Sequence, residues 1–345
     1  MRACAYALTL LCVTGCAARP APEAAPVEVS MGRFVMGTVL EMTAYGGDPE
    51  ASRLALRRAY EEIEQLDAQL SRHREESDVS RLNRAQGTPV AVGSSVREAL
   101  MLSLREGQRS GGAFDVTVGP LVALWSRAAA QDQLPAEAAL AAAGEHVGAE
   151  HVQLLSDGRV SLDPGSSIDL GGIAKGFALD RVLPGLRASG LSAALLSFGQ
   201  SSTWALGNPP GAAGWRLLVR SPAGGFAGVV TLRDRALSTS GTLGQWSEIA
   251  GQRFGHVLDP RSGWPLTRRR QALVVAPDAT LAEVLSTALL VLGEREGIAL
   301  VEARQGCEGL LLDAEAGAWQ TSGFQQATAF EPLPGFEGLT APLSP

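Results

Sequence analysis

Cysteine is nearly missing from the body of this chain. Of four cysteines in 345 residues, Cys4, Cys12 and Cys16 fall at the very start, leaving Cys307 alone beyond them. No internal disulfide can therefore brace the body, even in an oxidising compartment. A basic surplus is missing too: 29 Lys and Arg stand against 36 Asp and Glu, a net charge of -7 that advertises no nucleic-acid surface. Histidine is scarce, with only His73, His146, His151 and His256 available as general bases. The G-x-x-x-x-G-K-[ST] phosphate loop is absent, as is any internal repeat. What is present is 46% hydrophobic and 19% charged, with 40 glycines and 19 prolines. That composition describes a folded globular body with many tight turns, one large domain or two ordinary ones.

The N-terminus reads as a processing segment. Arg2 makes a short basic start, and Ala3 to Val13 is an apolar run too short to span a bilayer. Val13-Thr14-Gly15-Cys16 follows and resembles a bacterial lipobox, with residues 1–15 as a cleaved signal and Cys16 as the lipidated first residue of the mature protein. An ordinary signal cut elsewhere is the alternative. Acyl chains on Cys16 would hold an exported protein on a bacterial membrane, facing the periplasm or cell surface. Residues 16–30, rich in Pro and Ala, read as a tether, residues 31–321 as the folded domain, and residues 322–345 as a poorly ordered tail.

Within the body, Val35 to Ala44 alternates as a first strand. Ala55, Ala59, Ile63, Leu66 and Leu70 recur at helical spacing across Pro49 to Leu70. Further helices are predicted over Val96 to Arg109, Ala174 to Ser189 and Thr280 to Leu292. Val152 to Leu162 reads as a hairpin turning at Asp157-Gly158. Ala193 to Phe198, Trp215 to Val219, Val229 to Leu232 and Ala272 to Val275 read as strands. Strands and helices interleave irregularly, which predicts an α+β fold.

Chemistry concentrates in a few segments. In I-D-L-G-G-I-A-K-G-F-A-L-D, from Ile168 to Asp180, a carboxylate, adjacent glycines and a lysine sit where an apolar strand is expected to turn into a helix. Such a turn can present backbone N–H groups to phosphate, with Asp169 and Lys175 supplying charges of both signs. The same glycines also suit a turn with purely steric duties. On the last predicted helix Glu283 and Thr287 are four apart and share a face, with Ser286 beside them. An oxygen-only set of this kind suits Mg²⁺. A partly exposed Glu, with Thr bonded back to its own helix, is the plainer reading. His256 precedes an Asp259-Pro260…Ser262-Gly263 turn and could serve as a general base or merely cap the turn. Gly112 to Pro120 is read as an apolar strand bearing Asp115, and Ser238 to Gly241 as a hydroxyl-rich turn.

Taken in order, these segments resemble one family, the ApbE-type FAD:protein FMN transferases. The resemblance runs from Phe34-Val35-Met36-Gly37-Thr38 to about Gly293. It includes S-x-x-x-x-x-S-D-x-S-x-L-N at Ser71 to Asn83, G-A-F-D-V-T-V-G-P-L at Gly112 to Leu121 and D-L-G-G-I-A-K-G-F-A-L-D. Further on come S-T-S-G at Ser238, H-V-L-D-P-R-S-G at His256 and A-E-x-x-S-T-A-L-x-V-L-G from Ala282. The resemblance implies mixed sheets with packed helices, related to the T-fold, and an FAD site between two lobes. It implies Mg²⁺-dependent transfer of the FMN part of FAD to a Thr or Ser hydroxyl of an acceptor protein, with release of AMP. By similarity Mg²⁺ would sit on the Gly172 carbonyl, Glu283 and Thr287, with Ser286 adjacent. FAD would contact Met36, Ala113, Phe114, Asp115, Asp169, Lys175 and the backbone near Leu258. His256 would take the acceptor's proton and Lys175 would offset phosphate charge. By family analogy the acceptors are flavoprotein subunits of membrane electron-transfer complexes.

The chain departs from that family at three points. Glu283 stands where the family's metal helix carries Asp, a reach longer by about 1.5 Å. Ser197-Phe198-Gly199-Gln200-Ser201 replaces N-x-G-G-D, placing Gln200 where backbone approaches a ligand. His73 stands where an aromatic, usually Tyr, is expected to cover the flavin. These changes leave open a divergent relative that holds FAD at the cell surface or hydrolyses it slowly.

Overall fold

The computed structural model describes residues 26–336 except 200 and 243–245. The signal, Cys16 and Gln200 therefore lie outside the described residues. Its frame is an eight-stranded sheet in the order β1 (Val27–Val35), β2 (Thr38–Gly46), β6 (Ala193–Phe198), β7 (Ser202–Gly207), β10 (Arg235–Gly241), β13 (Arg270–Ala276), β14 (Glu308–Asp313) and β15 (Gly317–Gln320). Every neighbouring pair in that sheet is antiparallel. Two small sheets add β3 (Val90–Ala91), β5 (Arg159–Leu162) and β4 (Val152–Leu154), and β16 (Glu331–Pro332), β9 (Phe226–Leu232) and β8 (Trp215–Arg220). A further hairpin pairs β11 (Trp246–Ile249) with β12 (Gln252–Gly255).

Alternation along each strand assigns the two faces of the main sheet. Leu40, Met42, Leu196, Phe198, Ala272 and Val274 face one way and join the larger core, under α1 (Pro49–Leu70), α6 (Ala174–Ala188) and α7 (Ala279–Leu292). Leu237, Leu273 and Val275 face the other way and pack with Val230 and Leu232 of β9. Helix α1 begins where Asp48 accepts from the N–H groups of Glu50 at 2.8 Å and Ala51 at 3.3 Å, with Pro49 opening the first turn. Its buried stripe is Leu56, Ala59, Ile63, Leu66 and Leu70; the spacing predicts the last four, while Leu56 rather than the half-buried Ala55 opens it. The remaining helices are α2 (Asp78–Arg84), α3 (Ser94–Arg109), α4 (Gly119–Gln131), α5 (Glu137–Gly144), α8 (Glu294–Glu302) and α9 (Phe324–Thr328). Among the described residues no helix is long and apolar enough to cross a membrane.

Five local expectations are corrected. The expected first strand is a hairpin, β1 and β2, because Met36 and Gly37 both take positive φ and reverse the chain. Its first strand starts at Val27, inside the stretch read as tether. The fold also runs past residue 321: Phe324 is fully buried, α9 packs on the small sheet, and Glu331 and Pro332 pair with β9. Asp115 sits on an irregular loop rather than a strand, and Ser238 to Gly241 belong to β10 rather than a turn.

Candidate active site

Helices α6 and α7 cross in contact, and Gly176 is the reason they can. A Cβ there would stand 2.2 Å from the Ala279 carbonyl oxygen. The close crossing lets Glu283, on α7, reach the start of α6. Its Oε2 accepts from the Gly176 N–H at 2.5 Å, and its Oε1 lies 2.7 Å from Nζ of Lys175. Lys175, the only lysine in the chain, also donates to the Gly171 carbonyl at 3.0 Å. The segment read as a phosphate turn is irregular up to Ile173, and its Gly176 amide is committed to a carboxylate. Asp180, one turn further along α6, is held by Ala279 N and Thr280 N, both at 2.8 Å. Burial pushes its pKa up, and the Thr280 hydroxyl and these amides pull against that shift.

A cavity of about 580 Å³ opens where this crossing meets the main sheet. Met36, Ala113, Phe114, Asp115, Asp169 and Gly172 line it, as do Lys175, His256, Leu258, Glu283 and Thr287. Each wall is positioned by a distinct device. Asp169 accepts from the Gly171 N–H at 2.8 Å and pairs with Nε of Arg72 at 2.8 Å. Asn83 grips the preceding backbone from both sides, donating to the Ile168 carbonyl at 2.9 Å and accepting from its N–H at 2.8 Å. The Ser71 to Asn83 motif is thus largely a brace. Ser77 caps α2 by accepting from Ser80 N at 3.0 Å, while Asp78 accepts from Gly93 N at 2.6 Å.

Asp115 is held by Thr117, whose N–H donates at 2.7 Å and whose hydroxyl donates at 2.5 Å. Desolvation raises its pKa, and the two Thr117 bonds restrain the rise. His256 follows β12 and is exposed at the cavity wall. The turn beyond it closes through Asp259 N to the Trp264 carbonyl at 2.9 Å, and Trp125 of α4 donates to the Gly263 carbonyl at 2.8 Å. Asp259 directs its carboxylate to Arg261, accepting from Nε and from a terminal nitrogen at 2.9 Å each. Thr287 donates to the Glu283 carbonyl at 3.1 Å and also faces the cavity, so the plain and the functional readings of that hydroxyl both describe it.

Two candidates fall elsewhere. His73 is exposed and does not line the cavity; its neighbour Arg72 turns inward instead, to Asp169. Ser286 is fully buried and sits in a hydroxyl cluster, 2.8 Å from Ser240 Oγ and 3.1 Å from Ser238 Oγ, that ties α7 to β10. On a helix its Cβ points about 100° away from that of Thr287, which takes it off the cavity face. The cavity also takes in Arg220 of β8 and Gln271 of β13, which no local motif announces.

The model of the ApbE family matches residues 36–311. The FAD:protein FMN transferase of Klebsiella pneumoniae strain 342 is 32% identical over 323 residues, covering 90% of this chain and 91% of that protein. The protein of the same name from Treponema pallidum strain Nichols is 33% identical over 312 residues, covering 83% and 84%. The apo crystal structure of the Pseudomonas stutzeri flavinyl transferase ApbE superposes with a TM-score of 0.77 at 28% identity, covering 88% of this chain and 97% of that one. With a family match over most of its length and relatives of this identity along nearly the whole fold, the chain belongs to the ApbE family.

Proposed function

We propose that this protein transfers the FMN part of FAD to a Thr or Ser hydroxyl of an acceptor protein, releasing AMP. One observation carries the reading. Asp169 and Lys175, His256, and Glu283 and Thr287, from three segments, converge on one cavity in a chain whose relatives bear the name FAD:protein FMN transferase. The acceptor oxygen forms a bond to the FMN phosphorus as the bond from that phosphorus to the bridging oxygen breaks, and AMP leaves with that oxygen. His256, at the cavity wall, takes the proton from the hydroxyl. Lys175 offsets the negative charge that grows on the phosphoryl oxygens. Met36, Phe114 and Leu258 provide apolar surface for the flavin and exclude water around it.

The donor chemistry fits a hard divalent cation. Glu283, Thr287 and the Gly172 carbonyl offer oxygen only, all three residues line the cavity, and a Cβ at Gly172 would stand 3.9 Å from Thr287 Oγ1. Three protein oxygens fall short of an octahedral set, so a cation held here would take its remaining ligands from water or phosphate. Such an ion, Mg²⁺ in this reading, polarises the phosphoryl group when bound. In this reading lipidation at Cys16 holds the enzyme on a bacterial membrane, facing the periplasm or cell surface. Its acceptors there are flavoprotein subunits of membrane electron-transfer complexes.

The test mixes the chain from Ala17 onward with FAD, Mg²⁺ and an acceptor domain bearing a Thr site. AMP release and flavin fluorescence on the denatured acceptor band are followed together. AMP with a fluorescent acceptor supports transfer. AMP with an unlabelled acceptor means that water takes the place of the hydroxyl. FAD binding without AMP means a holding protein.

A further inference from the structure

Two hairpin tips flank the mouth of the cavity and share one pattern. Each sends a residue into the lining and leaves an aromatic ring in solvent beside it. At the β1–β2 tip, Met36 and Thr38 line the cavity, while Phe34 is 71% exposed and its register partner Val39 is 46% exposed. At the β8–β9 tip, Arg220 lines the cavity and its register partner Phe226 is 44% exposed.

Both tips lie on one side of the main sheet. Residues paired across an antiparallel ladder share a face, and neighbours along a strand alternate. Val39 and Glu41 therefore share the face of Ser197, Thr203 and Leu237. That is the face on which Leu237 packs against β9. The small sheet covers this face at Tyr45, whose ring centroid lies 5.9 Å from that of Trp215, and leaves the opposite end of β2 open at Val39. Single exposed apolar side chains are ordinary on a protein surface. The placement here is not: Phe34 stands two residues from Met36, and Phe226 lies across the ladder from Arg220, both of which line a reactive cavity.

We propose that the two tips form the docking surface for the acceptor, a folded protein whose hydroxyl-bearing loop enters the cavity while apolar side chains flanking that loop pack on Phe34, Val39 and Phe226. The inference rests on the transferase reading, because a nucleophile carried by a second protein brings polypeptide across the mouth, whereas water does not. Exposed aromatic residues are the side chains that anchor such contacts. Arg220 adds a cation to the cavity lining directly across the ladder from Phe226.

The experiment compares wild type with a Phe34→Ser/Val39→Ser double variant and, independently, with Phe226→Ser on the other tip. Two acceptors are used, a folded domain bearing a Thr site and a peptide of its acceptor loop alone. The expected result is a KM for the domain raised about tenfold. The kcat at saturation, the FAD Kd, the KM for the peptide and the Tm stay unchanged. Equal KM for the domain in wild type and both variants overturns the docking surface. So does a loss of sedimentation with phosphatidylglycerol vesicles at unchanged KM, which would assign the patch to the membrane. Absence of labelling by the wild type overturns the transferase reading itself, and is distinguishable because it precedes any variant.

Discussion

Nζ of Lys175 and Oε1 of Glu283 stand 2.7 Å apart, in a pair whose carboxylate side chain is 4% exposed. The same carboxylate takes the Gly176 amide on its other oxygen. Lysine and a divalent cation thus compete for one buried anion, each weakening the other's hold by charge repulsion. Lys175→Met should bind Mg²⁺ about tenfold more tightly, because no ammonium then competes for Oε1, and should lose transfer activity with the charge that offsets the phosphoryl oxygens. Without metal the variant should be destabilised by about 3 kcal/mol, the penalty for an uncompensated buried charge, and Mg²⁺ should restore much of that loss. Calorimetric Mg²⁺ titration and urea unfolding with and without metal measure both effects. Identical Mg²⁺ responses in the two proteins would remove Glu283 from the metal site. As the only lysine in the chain, Lys175 also gives an unambiguous side-chain ammonium resonance for following the pair directly.

Glutamate at 283 has the length to serve Lys175 and Gly176 together. Aspartate, shorter by one methylene, cannot hold both and leaves either the buried amide or the ammonium short of a partner. Glu283→Asp should therefore lower stability by about 1–3 kcal/mol. If the family's usual Asp is the better metal ligand, the same change raises turnover at limiting Mg²⁺. Denaturant unfolding and initial rates separate the two. A variant as stable as wild type would mean that the α6–α7 crossing adjusts at no cost.

Much of the site was legible because its parts announce themselves locally. Gly-Gly before Lys175, the i, i+4 pair of Glu283 and Thr287, and the turn after His256 are all short-range patterns, and the cavity takes in each of them. Helix α1 was equally plain from Pro49 to Leu70, because the apolar spacing gives its span and its face. Long-range geometry was not legible. Nothing near Gly176 says that its amide meets a carboxylate 107 positions away, and nothing near Arg220 says that β8 ends at the cavity. Neighbouring positions on a helix misled in the same way. Ser286 shares a motif with Thr287 but points into the core, and only the crossing of α7 over β10 decides which hydroxyl faces solvent.

Met36 lies in the left-handed region with φ of 50° and Gly37 follows at 74°, a two-residue turn that normally takes Asn-Gly. A side chain like Met costs about 1 kcal/mol there. Its place in the cavity lining accounts for keeping it. Met36→Asn should stabilise the protein by about 1 kcal/mol while weakening FAD binding several-fold. Thermal unfolding and flavin fluorescence titration give the two readouts. A variant that gains stability at unchanged FAD affinity would remove Met36 from the flavin surface, and one that gains none would remove the strain.

Asp115 links the cavity to pH. Burial raises its pKa in the folded protein, so the folded state holds this proton more tightly than the unfolded chain, whose aspartates titrate near pH 3.9. The stability associated with the protonated form is therefore present below about pH 4 and lost as pH rises through the folded value. Thr117 limits that loss by donating two hydrogen bonds to the ionised carboxylate. Thr117→Val removes the hydroxyl donor and moves the pKa further up, extending the loss of stability to higher pH. The change also strips the Gly148 N–H of the Thr117 hydroxyl it reaches at 2.7 Å, a cost of about 1–3 kcal/mol that does not depend on pH. Thr117→Ser keeps both contacts and should behave as wild type. Carboxyl carbon titration by NMR and urea unfolding across acidic to neutral pH distinguish the two costs. A valine variant with the wild-type Asp115 titration would show that the hydroxyl does not restrain this carboxylate.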